Sequence, residues 1–418
     1  MFYSGNSGSC RSDKDSLGLS FKQHWGARAM VYSSSTMKTI GAVIVSAFLL
    51  IVATGVCRAE PPEPLWQKSL DNLEESGVSR PMDEVFEEIF HDSGRGYKDI
   101  VKDVLSGEGL NLTQFIKDLA GRSLMGLSGQ IRLLGQIVLI GVTISCLNIL
   151  GETLAPDGSS QIAITSAHMV LVLLSMFSFR DVLAVATEAV QGLRTAFFAF
   201  IPAITGLVLA SGAPVTAGVL HPLVFGMGSL VSVFILDVAF PLIFTSIAID
   251  MAGNFGGGER VSGIADMLRQ IAFIGIGFSM ASFVGVVAGE RAAAGVADGI
   301  ALRTAKYMSS TFIPVAGKMV GDTMDMFFHS IFALRSAVGI AGILAVVGVV
   351  FSPIVKVIAC LAAWKVALAV LGPTCGPKVR RSLQAMVSGV TFLAVTLFAT
   401  SFVFIICLSL VAQAAKTF

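Results

Sequence analysis

From residue 131 onward the chain consists mainly of apolar segments separated by short polar ones. An α-helix needs about 20 apolar residues to cross a bilayer, and it satisfies its own backbone hydrogen bonds there. The mean hydropathy is +0.79 and 14% of the residues are charged, against about 25% in soluble domains. The sequence therefore predicts an all-α polytopic integral membrane protein with about seven to nine transmembrane helices. The candidate spans are 131–150, 162–179, 193–211, 215–252, 271–289, 337–371 and 388–412.

Two of these spans, 215–252 and 337–371, are longer than one crossing requires. Proline removes a backbone donor and disrupts a helix interior. Asp237 and Pro241 lie inside the first long run, and Ser352-Pro353 lies inside the second. We therefore expect helical hairpins or broken helices at these two places.

The N-terminal region divides into three segments. Residues 1–36 are polar and aperiodic, so they are either a disordered extension or a mis-assigned start. Residues 37–59 have the order of a signal peptide cleaved after Ala59, with an uncleaved anchor as the alternative. Residues 60–130 are then an acidic, helical, extracytoplasmic segment, with 14 acidic and 6 basic residues between 60 and 121 (net −8). It is either a surface for partner proteins or a solvated helical collar; its predicted helices are Leu65–Val78, Asp83–Phe90, Tyr97–Leu105 and Leu112–Leu119.

The stretch 290–325 is too polar for an ordinary transmembrane helix, because charges at bilayer depth are costly. It also carries many apolar residues, and Pro314 interrupts it. We expect an amphipathic helix, a break at the proline and a second helix, lying at the membrane surface or in a polar cavity. Its gating or docking candidates are Arg291, Asp298, Arg303, Lys306, Pro314, Lys318, Asp322 and Asp325.

The same stretch carries a family resemblance. VADGIALRTAKYMSSTFIPVAGKMVGDTMD at 296–325, His221-Pro222 and Phe-Pro-Leu-Ile-Phe at 240–244 resemble the stage III sporulation protein AE family over roughly residues 38–418. The resemblance implies a multi-pass protein of the mother-cell membrane facing the forespore. It implies a transenvelope channel between the two cells that late forespore gene expression requires. Implied partners are other membrane and extracytoplasmic subunits, with a cytoplasmic ATPase as a further candidate; no catalytic residues are implied.

An internal duplication is a further prediction. LRTA occurs at 193–196 and 302–305, and FIP follows at 200–202 and 312–314. The repeats would be 186–289 and 295–411. Duplicated halves are frequent in transporter folds, although such short matches also arise by chance.

Three sets of residues within the apolar segments are candidates for function. Gly277, Ala281, Gly285 and Gly289 form a small-residue face suited to close helix packing, within the chain or between copies. Asp237, Lys356 and Lys365 are intramembrane polar candidates, unless they mark interfaces and snorkel. His168 and His221 sit on apolar segments, and His221, beside Pro222 near a helix start, is expected to be a backbone or packing feature rather than a ligand.

No nucleotide-binding, metalloprotease or serine-hydrolase motif occurs, so we expect no enzymatic activity, no cofactor, no metal and no nucleic-acid partner. The six cysteines show no metal-site spacing. Two alternatives to a channel component remain at this point: a self-contained small-solute or ion transporter, and a non-conducting membrane scaffold. Homo-oligomerisation is also left open. The excess of Lys and Arg in cytoplasmic loops favours cytoplasmic placement of both 290–336 and the loop with Lys378, Arg380 and Arg381.

Overall fold

The computed structural model describes residues 79–90, 96–106, 159–256, 259–312, 316–373 and 376–413, and single positions between 117 and 146. The predicted segments 1–36 and 37–59 lie outside these residues. Every described element is helical, as the all-α prediction required. The helices are α1 (Arg80–Phe90), α2 (Tyr97–Ser106), α3 (Ser159–Ala210), α4 (Pro214–Val233), α5 (Phe240–Gly256), α6 (Glu259–Phe312), α7 (Ala316–Leu371) and α8 (Pro377–Ala412), with a π-helix at Phe234–Ala239 between α4 and α5.

Five of the described segments are long and apolar enough to cross a membrane. The prediction of seven to nine spans counted 162–179 and 193–211 separately. It also counted 131–150, which lies almost wholly outside the described residues. The five segments are Ile164–Ala210, Pro214–Gly253, Ser262–Ile300, Phe328–Leu371 and Pro377–Ala412.

Helix α3 corrects one sequence expectation, because 162–179 and 193–211 belong to a single helix of 52 residues. At 1.5 Å per residue this helix is about 78 Å long. Between the two predicted spans, buried residues recur at helical spacing and hold the backbone against the bundle. These are Val182, Ala186, Val190 and Leu193, while Arg180, Asp181, Glu188 and Gln191 are exposed.

The two long apolar runs also do not form the expected hairpins. Helix α7 continues through Pro353. In the other run the helix continues as a π-helix, in which the Phe240 N–H donates to the Ile235 carbonyl five residues back. Because Pro241 has no N–H, the turn before it cannot close with regular α-helical bonds, and the wider π turn accommodates this loss.

Helix α6 ends at Phe312 and α7 begins at Ala316, on either side of the predicted break, and Pro314 itself lies outside the described residues. Residues 290–312 are not the separate amphipathic helix that was expected, because they continue α6 from Glu259. Helices α1 and α2 match two of the predicted helices closely.

The core lies where α7 and α8 pack against α3. Phe197 of α3 contacts Phe404 of α8 and Phe283 of α6, with ring centroids 4.8 and 6.0 Å apart. Glycines allow close helix contact here: a Cβ on Gly339 would meet the Cβ of Ala412, and one on Gly342 would lie 3.0 Å from the Phe200 ring. Aromatic packing and small residues together bring these helices close.

Helices α1 and α2 pack on this bundle through their apolar faces. The Phe86 and Phe200 rings meet edge to face at 6.1 Å, and Ile89 lies against Gly348 of α7. The apolar faces of the two helices are therefore covered within the chain, and only their polar faces remain for solvent or partners. The buried residues are Met82, Val85, Phe86, Ile89, Tyr97, Ile100 and Val101.

Candidate functional site

The turn between α3 and α4 is held by a carboxylate from the C-terminal half of α6. Asp298, which is 1% exposed, accepts hydrogen bonds from the backbone N–H groups of Val215 and Thr216 at 3.0 and 2.8 Å. The first N–H groups of a helix have no partners within it and carry partial positive charge. Ala213, at the N-cap of α4, has no side-chain acceptor, so Asp298 supplies the missing cap from another helix.

Arg335 of α7 approaches the α3 side of the same turn. It is completely buried, its Nη1 lies 3.4 Å from Ser211 Oγ, and its guanidinium lies 5.0 Å from the Phe332 ring centroid. Within the described part of the chain, its Nε and Nη2 have no hydrogen-bond partner. A cation is favourable at a helix C-terminus, so the turn has an anion at the start of α4 and a cation at the end of α3.

Arg291 connects α6 to the end of α8. Its Nη2 donates to the Gln413 carbonyl at 3.2 Å, and Gln413 is the C-cap of α8. Together, Arg291, Asp298 and Arg335 bind the ends of α3, α4 and α8, and we call this group the end junction. The structure thus places Arg291 and Asp298 of the predicted set in one junction between helices.

Of the other predicted residues of 290–325, Arg303 alone has a described side chain, and it lies outside the end junction. Arg303 is exposed; the side chains of Lys306, Lys318, Asp322 and Asp325 lie outside the described residues. Arg291 and Arg303 line a groove of roughly 530 Å³ along α6. Its other lining residues are small or apolar: Ala288, Ala292, Gly295, Val296, Gly299 and Ile300.

The end junction bears on the topology expected from the basic loops. Lys378 lies in the first turn of α8, whereas Arg291 contacts its last residues. A helix of 36 residues is about 54 Å long. If α8 crosses the membrane once, Lys378 and Arg291 lie on opposite sides of it, and only one of the two basic regions is then cytoplasmic.

A second polar cluster, near the start of α6, was missed at the sequence level. Arg269 is 8% exposed; its Nη2 lies 2.9 Å from Asp250 Oδ2 of α5, and its Nη1 lies 3.4 Å from Asp266 Oδ1. The guanidinium also lies 5.9 Å from the Phe392 ring centroid of α8. The cluster ties α5, α6 and α8 together. An arginine within reach of two acidic residues was visible in the sequence, but the adjacency of these helices was not.

The two histidines behave as packing residues. His168 is buried and its Nε2 lies 3.0 Å from Ser382 Oγ. His221 Nδ1 lies 3.2 Å from Thr205 Oγ1. Each contact joins two helices, α3 with α8 and α3 with α4.

The structure does not bring the intramembrane polar candidates together. Asp237 lies exposed in the π-helix, Lys356 is half-buried and Lys365 is exposed. No ion pair or hydrogen bond links the three in the regions that the structure describes.

The small-residue face of α6 points away from the described bundle. Gly277, Ala281, Gly285 and Gly289 are all exposed. A Cβ added at any of the three glycines would meet nothing within 4 Å. Of the two uses predicted for this face, packing between the described helices is therefore not seen, and packing against another chain stays a prediction.

The fold and its polar junctions define a class: a polytopic α-helical membrane protein whose polar residues mainly join helices. Among the described residues, no three His, Cys, Asp or Glu side chains are grouped to hold a metal. The stage III sporulation protein AE family model matches residues 96–415. The chain is 30% identical over 285 residues to "Stage III sporulation protein AE" of Bacillus subtilis (strain 168), covering 68% of this chain and 71% of that protein. This chain therefore belongs to the stage III sporulation protein AE family. No solved structure matches it.

Proposed function

We propose that this chain is a membrane subunit of the channel complex that links mother cell and forespore during sporulation. Family membership across residues 96–415 carries this proposal. The helix bundle is consistent with it, because its five membrane-length segments provide a membrane-embedded body for other subunits to contact. Its partners would be membrane and extracytoplasmic subunits, with a cytoplasmic ATPase supplying any energy.

The described polar clusters also support a non-enzymatic role. Asp298, Arg291 and Arg269 each bind a helix end or a side chain of a neighbouring helix. A catalytic site needs reactive groups that converge on space for a substrate. The observed contacts hold helices together instead.

The test is a deletion of the gene in the spore-forming host, with the wild-type chain returned as control. A fluorescent reporter is driven by a late forespore promoter, and the complex is purified through a tag on this chain. We expect loss of the reporter in the deletion strain, its recovery with the wild-type chain, and co-purification of other envelope proteins. Normal late expression in the deletion strain would contradict the proposal.

One observation favours a second candidate, a self-contained transporter. Asp237 lies within a π-helix in a membrane-length segment, and such π-helical turns are frequent at functional sites. A transporter that uses this carboxylate would lose flux in Asp237→Asn while the variant still assembles. Retained sporulation with Asp237→Asn would favour the channel subunit.

A further inference from the structure

Helix α1 lies close to the middle of the apolar bundle rather than beyond its end. Its Phe86 ring packs on Phe200 of α3 at 6.1 Å. The Cγ2 atom of Ile89 lies 2.7 Å from the position that a Cβ on Gly348 would occupy. Gly348 falls near the centre of the membrane-length segment Phe328–Leu371 of α7.

A second helix gives the same depth. Phe197, one turn before Phe200, contacts Phe283 of α6 at 6.0 Å. Phe283 falls near the centre of the membrane-length segment Ser262–Ile300. The centre of α7 contacts α1 directly, and the centre of α6 contacts α3 one turn from the Phe200 ring on which α1 packs. The α1–α2 pair therefore lies at the depth of the bilayer if these segments cross it.

The outward surfaces at this depth differ in character. On α4 and α6 the exposed side chains are apolar, with Leu230 58%, Ile274 60% and Phe278 74% exposed; we call this the apolar flank. The outward surfaces of α1, α2 and the middle of α3 are charged or polar, and we call them the polar flank. Its exposed residues include Arg80, Glu84, Glu87, Asp99, Lys102, Glu188 and Gln191.

Lipid can cover the apolar flank but not the polar flank. Each charged residue at bilayer depth costs about 2.5–3.5 kcal/mol even on the lowest scale. Glu84 and Glu87 are three residues apart on one face of α1, so their like charges repel. Neither carboxylate has an ion-pair partner among the described residues. Two adjacent unpaired carboxylates are stabilised by water, whereas burying them against protein would require matching cations.

We infer that the polar flank borders a water-filled passage through the membrane, with the α1–α2 pair forming part of its wall. This inference rests on the proposed channel function and names the surface that would meet hydrophilic solutes. The apolar flank then faces lipid, and the small-residue face of α6 lies on that side. The segment 60–130, expected to lie outside the membrane, would thus contribute to the passage itself.

The experiment compares single cysteines on the two flanks of the full chain, in sporulating cells with the complete complex. All six natural cysteines are first replaced, and the variants are Glu87→Cys and Glu84→Cys against Phe278→Cys and Leu230→Cys. The probes are a charged, membrane-impermeant methanethiosulfonate and a lipid-soluble maleimide. We expect the charged probe to modify the polar-flank cysteines at least about tenfold faster than the apolar-flank ones. The maleimide should modify the apolar-flank cysteines.

Three results would overturn the inference. Glu87→Cys and Glu84→Cys that do not react would place the α1 face away from water. Reaction in the chain alone but protection in the complete complex would show that another protein covers the face. Fast reaction of Phe278→Cys with the charged probe would show that this depth is outside the membrane.

The proposed function is tested separately by measuring expression of the late forespore reporter in the same strains. Normal reporter expression in Glu87→Cys and Glu84→Cys strains whose cysteines do not react would contradict the inference about the passage. It would not contradict the proposed channel function. A normal reporter in the deletion strain would remove the channel role, whatever the labelling showed.

Discussion

Asp298 lies in the C-terminal half of α6, and its carboxylate accepts a 2.8 Å hydrogen bond from the backbone N–H of Thr216, in the first turn of α4. The two residues are 82 positions apart, and neither is recognisable as a partner from local sequence. The contact turns a charge that lipid would not tolerate into a helix cap. It also shows how two charges of the stretch 290–325 are accommodated: Asp298 and Arg291 bind the ends of other helices.

We predict that Asp298→Ala destabilises the protein. Loss of a helix cap costs about 0.5–2 kcal/mol, and this cap is buried and charged, so we expect at least about 1–2 kcal/mol. Asp298→Asn keeps one acceptor oxygen and should lose less. The measurement is thermal unfolding of the detergent-purified chain.

Thr304→Ala is the matched control for Asp298→Ala. Thr304 is exposed on the same helix, and its hydroxyl donates to the Ile300 carbonyl one turn back. The Thr304→Ala protein should unfold at the same temperature as the wild type. An Asp298→Ala protein as stable as this control would mean that the cap contributes nothing.

Much of the helical pattern followed from the sequence, because lipid leaves few alternatives. Long apolar runs must be helical, and the amphipathic spacing of α1 and α2 placed their bounds closely. The continuity of α3 did not follow. Arg180 and Glu188 suggest a loop when read along the chain. They lie on the exposed face of a helix whose opposite face is buried. Which face of α3 is buried becomes apparent only when the neighbouring helices are known.

The polar sites were predictable only in part. Asp298 was a candidate because an ionised side chain among apolar segments is costly unless it has a partner. The identity of that partner depends on the packing of α6 against α4, which the sequence does not show. Arg269 escaped notice since its partner Asp250 lies 19 residues earlier, across a turn whose geometry the sequence does not specify. Asp237 illustrates the opposite error. A charge four residues before a proline suggested a hairpin, whereas the helix continues through both, with Asp237 in the π-helix and Pro241 in α5.

We predict an order of stability among variants of the Arg269 cluster. Asp250→Asn removes the charge of the 2.9 Å partner, whose side chain is 22% exposed, and should cost about 1.5–3 kcal/mol. Asp266→Asn removes the charge of a 3.4 Å partner that is 73% exposed, and should cost less than about 1 kcal/mol. Chemical or thermal unfolding in detergent measures both.

A double variant provides the control for this order. Once Arg269→Gln has removed the cation, adding Asp250→Asn should cause little further loss, because the two residues act as a pair. Equal losses for the two aspartate variants would show that the shorter contact contributes nothing extra.

We predict that Gly339→Ala and Gly277→Ala have opposite effects. A Cβ on Gly339 would collide with the Cβ of Ala412, whereas one on Gly277 would meet nothing within 4 Å. Overpacking costs about 1–3 kcal/mol, while alanine in an open helical position gains up to about 1 kcal/mol over glycine. Gly339→Ala should therefore unfold at a lower temperature than the wild type, and Gly277→Ala at the same or a higher one.

The glycine pair also tests the exposed face of α6 in the complex. If the Gly277→Ala chain is as stable as the wild type but co-purifies with fewer partner proteins, another chain packs on this face. Unchanged recovery would assign the face to lipid. A destabilised Gly277→Ala would contradict its open position.

We predict that Arg335→Met stabilises the isolated chain or leaves it unchanged. The guanidinium is completely buried, and burying an ion costs several kcal/mol unless good partners compensate. Its only hydrogen bond among the described residues is the 3.4 Å contact to Ser211, and its Nε and Nη2 have none. Methionine keeps much of the apolar contact with Phe332 without the charge.

Arg291→Met should instead lower the unfolding temperature, since it removes the 3.2 Å hydrogen bond to Gln413. Thermal unfolding of both variants at one detergent concentration measures the difference. A large loss in Arg335→Met would show that the cation on the α3 end stabilises the turn more than its burial costs. If Arg335→Met is more stable than the wild type but loses expression of the late forespore reporter, Arg335 is needed for the function of the complex although it destabilises the isolated chain.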